Sequence, residues 1–381
     1  MTTIEKPVTQ ARQCSRCILD THDDPGMSFD EQGVCSYCNM YDALPKYDFS
    51  QGDPAKSERE AIISKIKASG KGKDYDCLIG LSGGVDSTYL AYQAHKMGLR
   101  PLAVHFDNGW NSELAVKNIE NVVSKLGIDL YTYVIDWEEF RDMQVAFFKA
   151  SVIDIEALTD HAIYAALIKL ASKNKIKYML SGNNIATEAI LPSPWIYKDF
   201  TNIKDIQKRF GTRPIKSYPH LGYFQRLYYL NIKQVETIQI LNYMPYDKDD
   251  AKKTIIEELE WRDYGGKHYE SIFTRFYQGY ILPTKFKVDK RKAHLSSLIC
   301  SGQLTKEEAL EELKLPIYDP DLLEEDKEFV LKKLKFTEKE FDELMKMPPI
   351  PHKAYGHTKS FFEQYPFLKF LRPLIKNIRR Y

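Results

Sequence analysis

The stretch LIGLSGGVDSTYLA fills residues 78–91. An apolar run with strand character stops at Gly83 and Gly84, and a helical pattern starts beside Asp86. Paired glycines at such a junction let another group approach the backbone, because no Cβ stands in the way. The amides of the turn and of the first helical turn point at that group, and the helix dipole favours an anion there. Ser82 and Ser87 add hydroxyl donors. A Walker A loop would place a lysine at this junction. Asp86 stands here instead, and a carboxylate beside a polyphosphate needs a divalent cation between them, so Asp86 predicts Mg2+.

Outward from this turn, strand and helix patterns alternate. CLIGL (77–81), PLAVHF (101–106), LYTYVI (130–135), KYMLS (177–181) and ETIQIL (236–241) read as strands. Helical spacing fills 57–69, 86–97, 112–127, 137–151, 160–174 and 247–261. The alternation predicts an α/β fold: a doubly wound parallel sheet of about five strands with helices on both faces. Ligands of such sheets bind at the C-terminal ends of the strands. The chain divides into a cysteine-rich module at 1–45, a linker and helix at 46–72, the α/β domain at 73–265 and a helical region at 266–381. In that last region TKEEALEELKLP (305–316) and TEKEFDELMKMP (337–348) each open on a T-x-x-E capping box and stop at proline. The end of the chain, FLKFLRPLIKNIRRY (367–381), is basic and amphipathic and is expected to dock on the body or on a subunit partner.

Bulk composition narrows the function. Of 381 residues 43% are hydrophobic, and Lys+Arg 54 against Asp+Glu 53 gives a net charge of +1. That balance offers no broad basic surface for nucleic acid. No 18 apolar residues run together, which argues against a membrane span. The first residues lack the apolar core of a signal peptide, so the expected location is cytoplasmic.

Cys14, Cys17, Cys35 and Cys38 form CSRC and CSYC, separated by 17 residues. That spacing suits a four-thiolate zinc site. Two such turns complete a tetrahedron with no open position, so the zinc would fold the module rather than perform chemistry. Cys77 and Cys300 read as small buried hydrophobes.

The turn SGGVDS resembles the PP-loop of ATP pyrophosphatases, which split ATP between its alpha and beta phosphates. That resemblance implies ATP as ligand. It implies adenosine contacts along VHFDNGW (104–110), with His105, Phe106 and Asp107 as candidates. LSGNNIATE (180–188) looks like the corresponding stretch of NAD synthetase-like PP-loop enzymes. The likeness makes Gly182 and Asn183 nucleotide contacts and Glu188 a second magnesium ligand. Such enzymes set a cation from beyond the sheet against pyrophosphate; Lys267, Lys290, Arg291 and Lys292 are the candidates, with His268 and Glu270 beside the first. Asp160 and His161 open a helix leading into the strand that ends at Gly182. Their start is expected on the rim opposite the strand ends, which counts against catalysis, but both stay candidates.

CSRCILDTHDDPGMSFDEQGVCSYC, GLSGGVDS, LSGNNIATE, WRDYGGKHYES and KVDKRKAHLSS together resemble the N-acetyl sugar amidotransferases of surface-polysaccharide (lipopolysaccharide) and nonulosonic-acid biosynthesis. One departure is Asp23-Asp24 ahead of Pro25. The resemblance implies conversion of an N-acetyl group on a nucleotide-linked sugar to an acetamidino group. ATP would activate the amide oxygen, and AMP and pyrophosphate would leave. No segment resembles a glutaminase, so ammonia would come from a separate glutaminase subunit. Two other readings stand beside it: a PP-loop tRNA-thiolating enzyme, and a non-catalytic zinc-ribbon scaffold with a degenerate nucleotide fold.

Overall fold

The computed structural model describes residues 11–265 and 269–358. Its centre is a five-stranded sheet, all parallel, in the order β3-β2-β1-β4-β5. The strands are β1 (Cys77–Gly80), β2 (Pro101–Asp107), β3 (Asp129–Val134), β4 (Tyr178–Leu180) and β5 (Glu236–Ile238). Residues of β1 alternate between faces, as a pleat requires. Cys77 and Ile79 join one apolar cluster, with Leu90, Ile119, Val122 and Ile255 from three helices. Leu78 joins the other, with Ala165 and Ile168 of the helix Ala157–Lys173. Apolar residues on both faces call for helices on both faces, and the sheet is doubly wound as the alternation predicts.

Local chemistry sets the helix bounds. Ser112 caps Glu113–Leu126 by accepting from the amide of Ala115, and Gly127 ends that helix at φ +61°. Asp136 caps Trp137–Ala150 through the amide of Glu139. Both predicted capping boxes form: Thr305 with Glu308, and Thr337 with Glu340, each exchange running in both directions. Two expectations shift. The strand at 236–241 closes after Ile238 and tightens into a 3-10 turn at Ile240–Tyr243. The helix expected from 160 begins at Ala157, where Asp154 accepts from the amide of Ala157 at 3.0 Å.

The cysteine module packs against the C-terminal helices. Ile18 is buried with Leu295 and Ala309. Lys306 Nζ donates to the carbonyl of Cys14 at 2.7 Å, and Trp195 Nε1 to that of Asp23 at 3.0 Å. The basic segment 367–381 lies outside the described residues.

Candidate functional site

Gly83 holds the turn after β1 at φ +85°. A Cβ there would stand 3.0 Å from both the carbonyl oxygen of Ala115 and Tyr264 Oη, so only glycine fits. The carbonyl of Gly83 accepts from Trp261 Nε1 at 2.7 Å and from Tyr264 Oη at 2.5 Å. In a trans peptide the next N–H points the opposite way, so these two anchors turn the Gly84 amide away from themselves, toward Ser82 Oγ at 3.2 Å. Ser87 Oγ donates to the carbonyl of Gly84 and accepts from the amide of Ser82, at 3.1 and 3.3 Å. The loop is braced from behind and lined by the exposed Ser82. That cradle fits a phosphate group.

Asp86 lies in the first turn of the helix Val85–Lys96. Its Oδ1 accepts from Tyr246 Oη and from Asn184 Nδ2, the latter at 3.2 Å. Asn184 also caps the short helix Ile185–Glu188 through the amide of Thr187. Gly182, at the end of β4, abuts this helix start: a Cβ on it would come 3.0 Å from the carbonyl carbon of Asp86 and 3.1 Å from the amide of Ser87. Asn183 is exposed beside it, its amide donating to Ser181 Oγ. Burial, then the charges of Asp86 and Glu188, push the Tyr246 phenol well up. Glu188, at the end of the helix after β4, is near enough for its charge to act on the same phenol. Carboxylate oxygens are the donors a hard divalent cation takes, so Asp86 and Glu188 are the residues that would hold Mg2+.

The second rim comes from the far part of the chain. Glu270 Oε1 lies 3.5 Å from where a Cβ on Gly84 would stand, and the Glu270 carbonyl accepts from the amide of Ser112. His294 Nδ1 contacts the carbonyl of Thr187 at 3.0 Å, and its Nε2 accepts from Lys248 Nζ at 2.9 Å. Trp261, Tyr264, Asn184, Tyr246, Lys248 and His294 were not singled out by sequence reading. Asn184 shares a motif with Gly182 and Glu188, Trp261 and Tyr264 share one with Lys267, and His294 shares one with Lys290 and Lys292, whereas no motif signalled Tyr246 or Lys248.

Other expected residues take structural posts. His105 is buried and held neutral by that burial, bridging the carbonyl of Leu81 and the side chain of Asn111. Phe106 stacks on Tyr133 at 5.4 Å. Asp107 Oδ1 accepts from the amide of Gly109 at 2.8 Å and fixes the turn after β2. Lys292 is committed to Asp20 and Asp23 at 2.8 and 3.0 Å, and Arg291 to Asp289 and the last carbonyls of the helix Lys306–Lys314. Lys290 lies 3.8 Å from Glu156. Consecutive residues at a helix start diverge by about 100°, so these three cations face three directions rather than one anion. Lys267 and His268 lie outside the described residues.

The rim assigned to Asp160 and His161 needs correction. Asn108 Nδ2, just past β2, reaches Thr159 Oγ1 at 3.4 Å. A crossover helix runs antiparallel to the strands it joins, so its start shares the strand-end rim. His161 nonetheless acts as a brace. Its ring stacks near Phe200 and Tyr218, at 5.3 and 6.3 Å, and its Nε2 accepts from the amide of Leu221. Burial and the neighbouring His220 hold it neutral. Asp160 lies close enough to the buried Asp154 to raise that residue's pKa.

The cysteine quartet matches its expected geometry. Its four sulfurs lie within 4.8 Å of one another, with Cys14–Cys38 at 3.9 Å and Cys17–Cys35 at 3.7 Å. A zinc tetrahedron with Zn–S of about 2.3 Å has edges of about 3.8 Å, so the set fits a closed zinc site. Cys300 is buried as predicted, but its thiol also touches Cys38, at 3.6 Å. Cys77 is buried at the start of β1, the end remote from the loop.

Comparison with known families gives two matches. Residues 270–371 match the family described as LPS biosynthesis protein WbpG-like, C-terminal domain. Residues 76–174 match queuosine biosynthesis protein QueC, which covers the loop and β1–β3. The chain therefore joins a QueC-like PP-loop region to a WbpG-like C-terminal region. A tRNA(Ile)-lysidine synthase of Chlamydia pneumoniae is 37% identical over 67 residues, 17% of this chain and 21% of that protein. A glutamine-hydrolyzing GMP synthase of Wigglesworthia glossinidia brevipalpis is 25% identical over 221 residues, 50% of this chain and 40% of that protein. The chain thus spans less than half the length of either curated relative. Among solved structures, an NH3-dependent NAD synthetase of Campylobacter jejuni overlaps with a TM-score of 0.33 at 14% identity, over 78% of this chain and 98% of that chain. No described helix is long and apolar enough to cross a membrane.

Proposed function

We propose that this chain is an ATP-dependent, AMP- and pyrophosphate-forming amidotransferase that converts an N-acetyl group of a nucleotide-linked sugar to an acetamidino group. One observation carries the reading. The WbpG-like region begins at Glu270, the residue whose carboxylate overhangs Gly84 of the phosphate cradle. The start of a segment resembling a polysaccharide-biosynthesis domain therefore sets a carboxylate beside the glycine turn, which supports a substrate bound next to the loop.

An amide is a poor electrophile, and its oxygen leaves badly. Attack of that oxygen on the alpha phosphorus gives an O-adenylyl imidate and releases pyrophosphate; ammonia then adds to the activated carbon and AMP departs. Ser82 and Ser87 would hold the polyphosphate in line, while Trp261 and Tyr264 brace the turn from behind through the Gly83 carbonyl. Asp86 and Glu188 would hold Mg2+, which offsets charge building on the leaving pyrophosphate. Ammonia would come from a separate glutaminase subunit. The resemblance supports a cytoplasmic place for this chemistry and a role in lipopolysaccharide biosynthesis.

The tRNA-thiolating alternative shares only the word tRNA with the tRNA(Ile)-lysidine synthase match, and no matched name is a thiolation. It needs a reactive thiol at the loop, yet Cys77 is buried at the far end of β1 and Cys300 rests on the zinc quartet. The test is direct. With ATP, Mg2+, an ammonium salt and a UDP-N-acetyl sugar, AMP and pyrophosphate should appear in step with amidine product. Asp86→Ala should abolish turnover while the protein stays folded. Release of ADP would refute the reading, and full activity of the Asp86→Ala protein would do the same.

A further inference from the structure

A patch far along the chain departs from its near-neutral average. Residues 206–235 carry Lys208, Arg209, Arg213, Lys216, Arg226 and Lys233 and no carboxylate. Within it, helical turns at Tyr223–Leu227 and Tyr228–Ile232 turn one side inward, where Tyr229 and Leu230 pack with Leu221, Val235 and the helix Ala157–Lys173. The outward side is apolar as well. Phe224 is 82% exposed, Ile232 70%, Tyr223 58% and Tyr228 41%. Phe224, Tyr228 and Ile232 are spaced four apart and form one stripe. Arg226 and Lys233 flank it, their cationic ends over the rings of Tyr164 and Tyr228. Arg209 and Arg213 are paired with Asp205 and Glu138.

We propose that this face seats on an anionic lipid leaflet. An exposed aromatic and aliphatic stripe rimmed by cations is the pattern of a helix lying in a membrane interface, where rings enter the headgroup boundary and cations meet lipid phosphates. Aliphatic Ile232 gains nothing from a stacked base, which separates the pattern from a nucleic-acid platform.

The test is cosedimentation of the full chain with vesicles of phosphatidylcholine alone and of phosphatidylcholine with phosphatidylglycerol. Binding should be about tenfold or more stronger to the anionic vesicles and should weaken with added salt. Phe224→Asp with Ile232→Asp should remove about a tenfold share of that binding, with ATP turnover and melting temperature unchanged. Should that pair disturb folding, Arg226→Gln with Lys233→Gln reads the cationic share instead. Failure to bind anionic vesicles, or equal binding by the folded variants, overturns the proposal. So would light scattering that shows a dimer dissolved by the aspartates without lipid binding, which gives the face to a second copy. A salt-sensitive tRNA shift lost in the same variants, again without lipid binding, would give it to nucleic acid.

Discussion

Tyr246 donates its phenolic hydrogen to the same Oδ1 of Asp86 that accepts from Asn184. Two donors on one oxygen fix the rotation of the carboxylate about its Cβ–Cγ bond. Tyr246 touches no part of the phosphate cradle itself, so it positions Asp86. Losing such an orienting partner typically weakens a metal site by about tenfold to a hundredfold. Tyr246→Phe should therefore raise the Mg2+ concentration for half-maximal turnover by about tenfold, with a smaller effect at saturating Mg2+. A Mg2+ titration of pyrophosphate release checks it. An unchanged half-saturation point would show that Asp86 is held by other contacts.

The zinc quartet offers a cleaner separation. Cys17 belongs to the set of four, whereas the Cys300 thiol touches the Cys38 sulfur and lies outside that set. Cys17→Ser should cost the bound zinc and loosen the module, which has little core of its own. Cys300→Ser should keep about one zinc per chain. Metal analysis of the two purified variants decides. Equal zinc loss in both would make Cys300 part of the site.

Much of this was legible in the sequence, and the reasons differ from element to element. β1 and the loop were legible because an apolar pleat, two glycines and an acid occur within ten residues, where local chemistry alone sets the conformation. The cysteine quartet was legible because its ligands carry their own spacing. Tyr246 and Trp261 were not, because their partners lie 160 and 178 residues away. Nothing in a lone tyrosine or tryptophan says which strand end it will meet. The rim of Asp160 was misjudged for a different reason: helix direction in a crossover follows from topology, not from residues near 160. The run Lys290 to Lys292 looked like one cationic patch in linear order, and helical rotation dispersed it.

Two histidines whose pKa falls to about 4 make stability pH-dependent. Burial lowers the pKa of His352 to about 4, and burial with His220 does the same for His161. The unfolded value is about 6.5. Above that pH both states are neutral and nothing is lost. Between about 6.5 and 4 the unfolded chain binds protons that the folded chain refuses, so stability falls as the pH falls, by about 3 kcal/mol per histidine at most. Asp154 opposes this trend. Its pKa is raised to about 7, first by burial and then by Asp160, so the folded state holds a proton that the unfolded state releases as pH rises from about 4 to 7. His352→Gln should flatten the acid limb of a melting-temperature profile by about one proton's worth of slope. A profile parallel to that of the parent protein would clear His352 of the effect.

Lys292 separates a docking role from a catalytic one. Its ammonium bridges Asp20 and Asp23, and Asp23 is only 6% exposed. Lys292→Met removes the counter-charge and leaves a buried carboxylate uncompensated, a change that costs about 3–5 kcal/mol when the pair is well buried. Lys292 is partly exposed, so the lower end applies. Chemical denaturation should register that loss, and zinc should be released at a lower denaturant concentration than in the parent protein. Turnover per folded molecule should stay within about twofold, because no part of the phosphate cradle rests on this side chain. Replacing Asp23 with Asn in the same protein should recover part of the stability, since a neutral amide in that position no longer needs the ammonium. A large fall in turnover without a change in stability would return Lys292 to the pyrophosphate.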